Sequence, residues 1–263
     1  MREAVKRALA RIPRGERSGG TTILIYHRVG GGSLDELDTP RPAFEAQLDA
    51  LGEYDVVSLD TALDRLDAGD RRPSVVLTFD DGFRDLSDNA WPLLRERGVP
   101  FTVYLATGYV GGIMHWEGST ARAAGAALTW EQLGEMVGSG LCTVGNHTHS
   151  HARPCELTSA EVDRCSDEIE MHLGAAARPR HFAFTWGVEV RSMRPMLHQR
   201  FRSAATGRLG RNMPGYDPMA LRRVPVRRSD PVEFFVAKLS GSLLPERSYD
   251  LAVKVAKRLG ARG

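Results

Sequence analysis

The chain has 263 residues, of which 42% are hydrophobic and 26% are charged, a balance that is typical of a globular protein and excludes a disordered or fibrous one. The 35 Lys and Arg residues nearly balance the 33 Asp and Glu residues, and the net charge of +2 argues against a nucleic-acid partner. The three cysteines are too few and too irregularly spaced for a disulfide framework, which favours a reducing compartment.

The first 20 residues are basic and lack the apolar stretch of a signal peptide. No apolar run in the sequence approaches the ~18 residues that a membrane-spanning helix needs. We therefore expect a cytoplasmic protein without a transmembrane segment, in which residues 1–20 form a solvated basic N-terminal extension. Peripheral contact of this extension with a membrane surface is the alternative.

From residue 20 onwards, short β-branched segments alternate with helical ones in a βαβα order. The segment from Val75 to Leu77 is continuously apolar, which is typical of parallel strands covered by helices on both faces. The predicted strands are Thr22–Tyr26, Val56–Ser58, Val75–Phe79, Phe101–Leu105, Leu141–Gly145, His181–Phe184 and Phe201–Ala205. The predicted helices are Ala43–Tyr54, Thr61–Asp67, Trp91–Arg97, Thr129–Val137, Thr158–Leu173 and Arg191–Arg200.

Two capping-box signals place helix starts at Thr129 and Thr158, each followed three residues later by Gln or Glu.

About seven strand–helix units suit either a barrel or a doubly wound open sheet, and periodicity does not separate the two. No linker divides the chain, so we predict a single α/β domain over residues 21–240 and a C-terminal helix in 241–263. The Gly- and Ala-rich segment 108–128 is too long for a routine connection and is predicted to be a lid or binding loop, with a flexible insertion as the alternative.

Two adjacent carboxylates end a buried strand in the segment Thr78-Phe79-Asp80-Asp81-Gly82. The carboxyl ends of barrel strands are where such enzymes place their reactive groups. Neighbouring aspartates repel each other unless a cation binds one or both, and a glycine lets the backbone turn close to that cation. The segment is a candidate metal site, and an acidic turn or helix N-cap is the alternative.

Three alternating histidines, His147, His149 and His151, follow another apolar strand. His147 and His151 are four residues apart and can present two imidazoles to one ion, whereas His149 points the other way. One Asp and two His leave a tetrahedral ion an open position for water, which is the arrangement of a catalytic rather than a structural site.

With these two clusters in this order at strand ends, the chain resembles the polysaccharide deacetylase family, carbohydrate esterase family 4. The motif T-F-D-D-G is present at 78–82, and the motif H-[ST]-x-x-H is present at 147–151. The resemblance implies the family's distorted (β/α)7 barrel and makes Asp80 the general base. The metal ligands that it implies are Asp81, His147 and His151.

Two further segments resemble a subgroup of this family. The family's C-terminal L-x-H segment is missing, since no histidine follows His198, but the N-terminal strand ends in Y-H-R-V. His27 is therefore the candidate general acid, and a buried structural histidine is the alternative. The segment 221–226 resembles the subgroup's L-x-R-x-P-V and would place the guanidinium of Arg223 beside Asp80.

The third family motif is altered to Phe184-Thr185-Trp186-Gly187, without its proline and arginine. The backbone N–H of Trp186 is predicted to help hold the oxyanion, a role that survives a change of side chain. The residues that we expect to contact the substrate are Tyr26, Trp116 and Phe184.

The resemblance implies a metal-dependent hydrolase that removes the N-acetyl group from an N-acetylated amino sugar and releases acetate. The carbohydrate substrate is a polymer, an oligosaccharide or a glycoconjugate. Zinc is the default metal ion, and cobalt, nickel and manganese also suit one Asp and two His. Two alternatives stay open: a metal-dependent amidase acting on a non-carbohydrate amide or imide, and a sugar-binding protein without turnover.

Overall fold

The computed structural model of the chain describes residues 2–11, 19–115, 124–239, 243–249 and 251. Its centre is a closed barrel of seven parallel strands, in which each strand pairs with the next in sequence and the last pairs with the first. The strands are β1 (Thr21–Tyr26), β2 (Ser74–Asp81), β3 (Phe101–Leu105), β4 (Cys142–Asn146), β5 (His181–Ala183), β6 (Ser203–Leu209) and β7 (Leu221–Pro225).

Helices follow most of the strands. The longer helices are α1 (Arg2–Leu9), α2 (Arg41–Leu51), α3 (Leu59–Asp67), α4 (Trp91–Glu96), α5 (Trp130–Gly138), α6 (Ser159–Leu173), α7 (Arg194–Arg200) and α8 (Val232–Leu239). Residues 244–249 are also helical, whereas most of the predicted C-terminal helix lies outside the described residues. Within the described ranges, no helix combines the length and the apolar character needed to cross a bilayer.

The predicted single-domain α/β barrel is confirmed, because closure of β7 on β1 excludes the open sheet. One predicted strand is wrong: the segment 56–58 contributes only an isolated bridge between Val56 and Val75. The seventh barrel strand is instead β7, which the sequence patterns did not predict. Its apolar run is interrupted by Arg222 and Arg223, so it does not read as a buried strand.

Both predicted helix starts are observed, but only one forms the full capping box. The Thr129 side chain accepts from Gln132 N, and Thr129 N donates back to the Gln132 side chain. The Thr158 side chain accepts from Glu161 N at 3.3 Å. The Glu161 carboxylate accepts from Ser150 N at 2.8 Å, so it stabilises the histidine-rich loop.

The segment 108–128 contains ordered structure. Ile113–Met114 pairs with Gly125–Ala126 in an antiparallel hairpin, and Phe83 forms a bridge with Ala127. Residues 116–123, including Trp116, lie outside the described residues.

Residues 2–11, part of the predicted basic N-terminal extension, are largely helical and mostly exposed, but one basic residue is buried. They include α1, whose Lys6 side chain is fully buried against Asp230, with Nζ–Oδ1 at 2.6 Å. The Lys6 ammonium also lies 4.3 Å from the ring centroid of Tyr249. Asp230 and Tyr249 are both far from Lys6 in the sequence, which is why a count of basic residues could not reveal that Lys6 is buried.

The barrel interior narrows at Gly145, where a larger residue would not fit. A Cβ atom at this position would lie 2.5 Å from Cδ1 of the buried Tyr104 and 3.1 Å from the carbonyl oxygen of His181. The Tyr104 ring in turn lies near two site residues, 5.5 Å from the Arg223 guanidinium and 6.5 Å from the His147 ring. The absence of a side chain at Gly145 therefore leaves space for the Tyr104 ring, which lies beneath the site residues Arg223 and His147.

We expect Gly145→Ala to lower the free energy of unfolding by about 1–3 kcal/mol, the usual cost of overpacking a tight core. Urea titration of the variant and the wild type measures this difference. Adding Tyr104→Leu should recover part of the loss, because the ring that meets the new methyl group is removed.

The matched control is Gly138→Ala, since no atom lies within 4 Å of the position its Cβ would take. This control should be neutral or slightly stabilising, because alanine favours helix over glycine by up to about 1 kcal/mol. Equal stability of Gly145→Ala and the wild type would contradict the tight interior.

Candidate active site

A cavity of about 280 Å³ opens at the carboxyl ends of the barrel strands. Most of the candidate residues line it, although they come from distant parts of the sequence. These residues are His27, Asp80, Asp81, His147, His151, Trp186 and Arg223.

Asp81, His147 and His151 form a group of three ligands suited to a metal ion. Asp81 Oδ1 lies 3.4 Å from His147 Nε2 and 3.3 Å from His151 Nε2. Tetrahedral zinc with bonds of about 2.0–2.1 Å separates its ligand atoms by about 3.3 Å, so these donors fit such an ion by type and by spacing. The group borders the cavity, which leaves room for a further ligand.

The two histidines belong to the loop after β4, which hydrogen bonds hold in place. His147 Nδ1 donates to the carbonyl oxygen of Ala183 at 2.9 Å, since a carbonyl can only accept, and Nε2 is the nitrogen that faces Asp81. The Thr148 hydroxyl accepts from Ala152 N at 3.0 Å. His149 lies on the other side of the loop, with Nδ1 3.0 Å from the Glu168 carboxylate.

The backbone is strained where the site residues sit. Five of the described non-glycine residues have positive φ, and the values include 75° at Asp81, 54° at His151 and 60° at Trp186. The left-handed region costs an L-residue about 1–2 kcal/mol. Such strain persists only when the surrounding structure enforces it, and it is concentrated at functional sites.

Burial and mutual attraction set the charges of the group. Burial would raise the pKa of Asp81, but hydrogen bonding to the two imidazoles holds it well below the ordinary aspartate value. The pKa of His147 is raised despite its burial, because the Asp81 and Asp80 carboxylates favour its charged form. Burial lowers the pKa of His151. Asp81 is thus an anion at neutral pH, as a metal ligand must be.

Asp80 is paired with Arg223 inside the barrel. Arg223 Nη1 donates to Oδ1 at 2.7 Å and Nη2 donates to Oδ2 at 2.8 Å, so the guanidinium grips both oxygens of the carboxylate. Burial would raise the pKa of Asp80, but the nearby Arg223 and His147 side chains lower it. The carboxylate therefore stays ionised, and its remaining lone pairs can accept a proton.

Arg223 is itself held in place. Its Nε donates to the carbonyl oxygen of Thr206 at 3.0 Å, and its Nη1 lies 3.3 Å from the Thr78 hydroxyl. The side chain therefore connects three strands of the barrel, β7, β6 and β2. The L-x-R-x-P-V segment did indicate the residue that lies beside Asp80.

His27 follows β1 and lines the cavity near the seam at which β1 and β7 close the barrel. Its Nδ1 atom is buried and has no hydrogen-bond partner among the described residues. Trp186 lies opposite in a tight turn, with its ring centroid 5.4 Å from that of His151. In the same turn Gly187, with φ of 67°, touches Gly207, and a Cβ atom at Gly187 would come within 2.8 Å of the Gly207 Cα.

Of the three residues expected to contact the substrate, Tyr26 and Phe184 do not line the cavity. Tyr26 is fully buried, and its hydroxyl donates to Gln47 at 3.0 Å. Phe184 is also buried and packs against Phe182. Both belong to hydrophobic clusters, because their aromatic rings pack against the apolar faces of the surrounding helices. Trp116 lies outside the described residues.

Several cavity residues were not predicted. Arg28 is buried with Nε 2.7 Å from the Asp85 carboxylate, and its guanidinium lies 4.7 Å from the Phe83 ring centroid. Its position directly after His27 in Y-H-R-V is a signal that could have identified it. Asp35 and Leu37 also line the cavity, but they lie in an irregular loop without a recognisable pattern.

Comparison with known proteins agrees with the geometry. The family model described as polysaccharide deacetylase matches residues 67–199, about half of the chain. YxkH of Bacillus subtilis (strain 168), which bears the provisional name of a polysaccharide deacetylase, is 30% identical over 148 residues. That match covers 54% of this chain and 47% of YxkH, so it spans about half the length of the relative.

Two solved structures have the same fold. IcaB from Ammonifex degensii is 29% identical, with a TM-score of 0.71 over 85% of this chain and 98% of IcaB. BC0361, a polysaccharide deacetylase from Bacillus cereus, is 21% identical, with a TM-score of 0.70 over 84% of this chain and 69% of that structure. The second likeness concerns the fold alone.

We expect the purified protein to bind about one divalent ion per molecule, and Asp81→Ala or His147→Ala to abolish this binding, because each removes one of three ligands. Elemental analysis after dialysis measures the metal content, and circular dichroism checks the fold. His198→Ala is the control, since it removes an exposed histidine that does not belong to the ligand group. Full metal content in both ligand variants would contradict the assignment.

Proposed function

The chain belongs to the polysaccharide deacetylase family, and on this premise we propose that it hydrolyses the N-acetyl group of an amino sugar with a divalent metal ion at Asp81, His147 and His151. One observation carries the proposal. The Asp80 carboxylate, which is hydrogen-bonded through both oxygens to Arg223, lines the same cavity as this ligand group. We also assign the chain to the subgroup with an N-terminal Y-H-R-V segment, because His27 and Arg223 both reach the site.

Amide hydrolysis needs a polarised carbonyl, a nucleophile stronger than neutral water and a proton for the departing amine. A divalent ion at the three ligands supplies Lewis-acid polarisation and makes a water molecule easier to deprotonate. Zinc is our first choice, and cobalt, nickel and manganese suit the same donors. The remaining requirements fall to side chains of the chain itself.

Asp80 is the proposed general base. It is adjacent to the ligand Asp81 in sequence, and Arg223 holds it ionised and oriented. A carboxylate with a lowered pKa is a weak base by itself, so Asp80 would deprotonate a water molecule only if that water were acidified by an ion held at the three ligands. Arg223 is assigned the role of orienting Asp80 throughout the cycle.

His27 is the proposed general acid that protonates the leaving nitrogen, and the backbone N–H of Trp186 is the proposed donor to the oxyanion. Both residues border the cavity together with Asp80. The cavity volume of about 280 Å³ is near the lower end of the ~300–1,000 Å³ of small-molecule sites, which suits a single sugar residue. A polymer would therefore present one acetylated residue at a time.

The direct test is acetate release from chitin oligomers, peptidoglycan fragments and small N-acetyl amino sugars. We expect the wild type to release acetate from at least one class, and Asp80→Asn to lose at least ~100-fold in rate, as for removal of a general base. Asp80→Asn should keep its metal ion, because Asp80 is not one of the three ligands.

Two results would contradict these roles. Release of acid only from a non-carbohydrate amide would reassign the substrate class. Loss of the metal ion from Asp80→Asn, with retention in Asp81→Asn, would reverse the roles of the two aspartates.

The role of His27 can be separated by the leaving group. An amine leaves a tetrahedral intermediate only when it is protonated, whereas a phenolate leaves without help. We therefore expect His27→Ala to lose roughly 100-fold or more on an N-acetyl sugar and to keep most of its activity on an aryl acetate. Parallel assays on the two substrates measure the difference, and equal losses would assign His27 a structural role.

A further inference from the structure

One wall of the cavity is a loop that crosses above β1. The cavity loop, residues 30–37, contributes Asp35 and Leu37 to the lining. Its two ends are joined by pairing of Arg28–Val29 with Asp38–Thr39. The position of this loop therefore helps to set the shape of the space in which a substrate binds.

The cavity loop is tied together internally. The carboxylate of Asp38 accepts from Gly31 N at 2.9 Å and from Ser33 N at 2.7 Å. The Asp35 side chain accepts from Leu37 N at 2.9 Å. These bonds connect residues 31 to 38 to one another, so a contact with one residue can help to position the whole wall.

Glu36 is that point of contact. Its carboxylate accepts from the Ser229 hydroxyl at 2.6 Å, and the same hydroxyl accepts from the Lys6 ammonium at 2.6 Å. Arg2, also on α1, donates to the other Glu36 oxygen at 3.0 Å. A continuous chain of hydrogen bonds therefore runs from α1 to the residue between Asp35 and Leu37.

The segment after β7 adds backbone contacts to the same loop. Arg228 N donates to the carbonyl oxygen of Glu36 at 2.7 Å, and Arg228 Nη1 donates to that of Ser33 at 2.9 Å. Burial would raise the pKa of Glu36, but hydrogen bonds from Ser229 and Arg2 lower it. The carboxylate is thus charged at neutral pH and attracts both α1 cations.

Lys6 provides a fixed end to the chain of contacts. Its side chain is fully buried, and Asp230 binds both Lys6 and Lys238 at 2.6 Å. A buried ammonium that lost these partners would be strongly destabilised, so the helix is held firmly in this position. The hydrogen bonds to Glu36 therefore start from a helix that a buried ion pair attaches to the barrel domain.

We propose that Glu36 is a positioning residue, through which α1 fixes the cavity loop and thereby the affinity for the sugar substrate. The proposal rests on the proposed function in one respect, that the sugar binds in this cavity. It assigns a role in substrate binding to residues of α1, which lies outside the barrel. The chemical groups of the site are not moved, so the turnover of bound substrate is unaffected.

The test is the double variant Arg2→Gln/Ser229→Ala, which removes the direct contact of Arg2 with Glu36 and the hydroxyl that connects Lys6 to Glu36, and keeps the Lys6–Asp230 pair. Loss of contacts of this strength should raise KM for an N-acetyl oligosaccharide about fivefold to tenfold. We expect kcat to stay within about twofold. Backbone amides of residues 33–38 should exchange with deuterium at least about threefold faster, as measured by mass spectrometry.

Two further variants complete the design. Arg7→Gln is the matched control, because Arg7 lies on α1 but is exposed and bonds to Glu3. It should change neither KM nor exchange. Glu36→Gln keeps the size of the side chain and loses its charge, so it should raise KM and the exchange rates by less than the double variant. It replaces the double variant in the test if that variant does not fold.

Unchanged exchange in residues 33–38 would show that α1 does not hold the loop and would overturn the proposal. Faster exchange with an unchanged KM would show that the wall does not contact the sugar and would overturn it as well. A fall in kcat at constant KM would assign Glu36 a catalytic effect instead. Absence of sugar deacetylation by the wild type would refute the proposed function. The exchange rates would still show whether α1 holds the cavity loop in place.

Discussion

The buried ion pair of Asp80 and Arg223 is the interaction on which the site depends. Asp80 and Asp81 are each only 4% exposed, and two adjacent buried carboxylates would repel each other strongly if they had no separate partners. Arg223 grips one carboxylate, and the two imidazoles face the other. The neighbouring aspartates therefore have different partners, a guanidinium for Asp80 and two imidazoles for Asp81, which suits the separate roles proposed for them.

This division is built into the barrel. The guanidinium reaches from β7 across to β2 and also donates to the carbonyl oxygen of Thr206 in β6, so its position depends on the closed barrel. Left-handed backbone turns the chain at Asp81, the last residue of β2, and at His151, in the loop that follows β4. The free energy stored there, about 1–2 kcal/mol per residue, is offset by the packed strands beneath.

The sequence predicted those parts of the molecule that depend on local pattern. The grouping of the candidate ligands Asp81, His147 and His151 could be predicted because they lie at or after the ends of apolar strands, and parallel strands end at one edge. Strand β7 was missed, since two arginines interrupt it, although one of them was assigned to the site from its motif. The fixed position of α1 was also missed, because it depends on contacts between residues more than 200 positions apart, such as Lys6 and Asp230.

The same contrast separates the chemistry from the selection of substrate. Asp80, Asp81 and Arg223 lie on strands of the barrel, and His27 and His147 directly follow strands, so the pairing of the strands fixes their spacing within narrow limits. The walls of the cavity come from connections, among them the loop that carries Asp35 and Leu37 and the turn at Trp186. Connections hold their shape only through particular contacts, as Glu36 does with Ser229. A change in such contacts would alter the shape of the cavity while leaving Asp80, Asp81 and Arg223 in place, because those residues are held by the strands of the barrel.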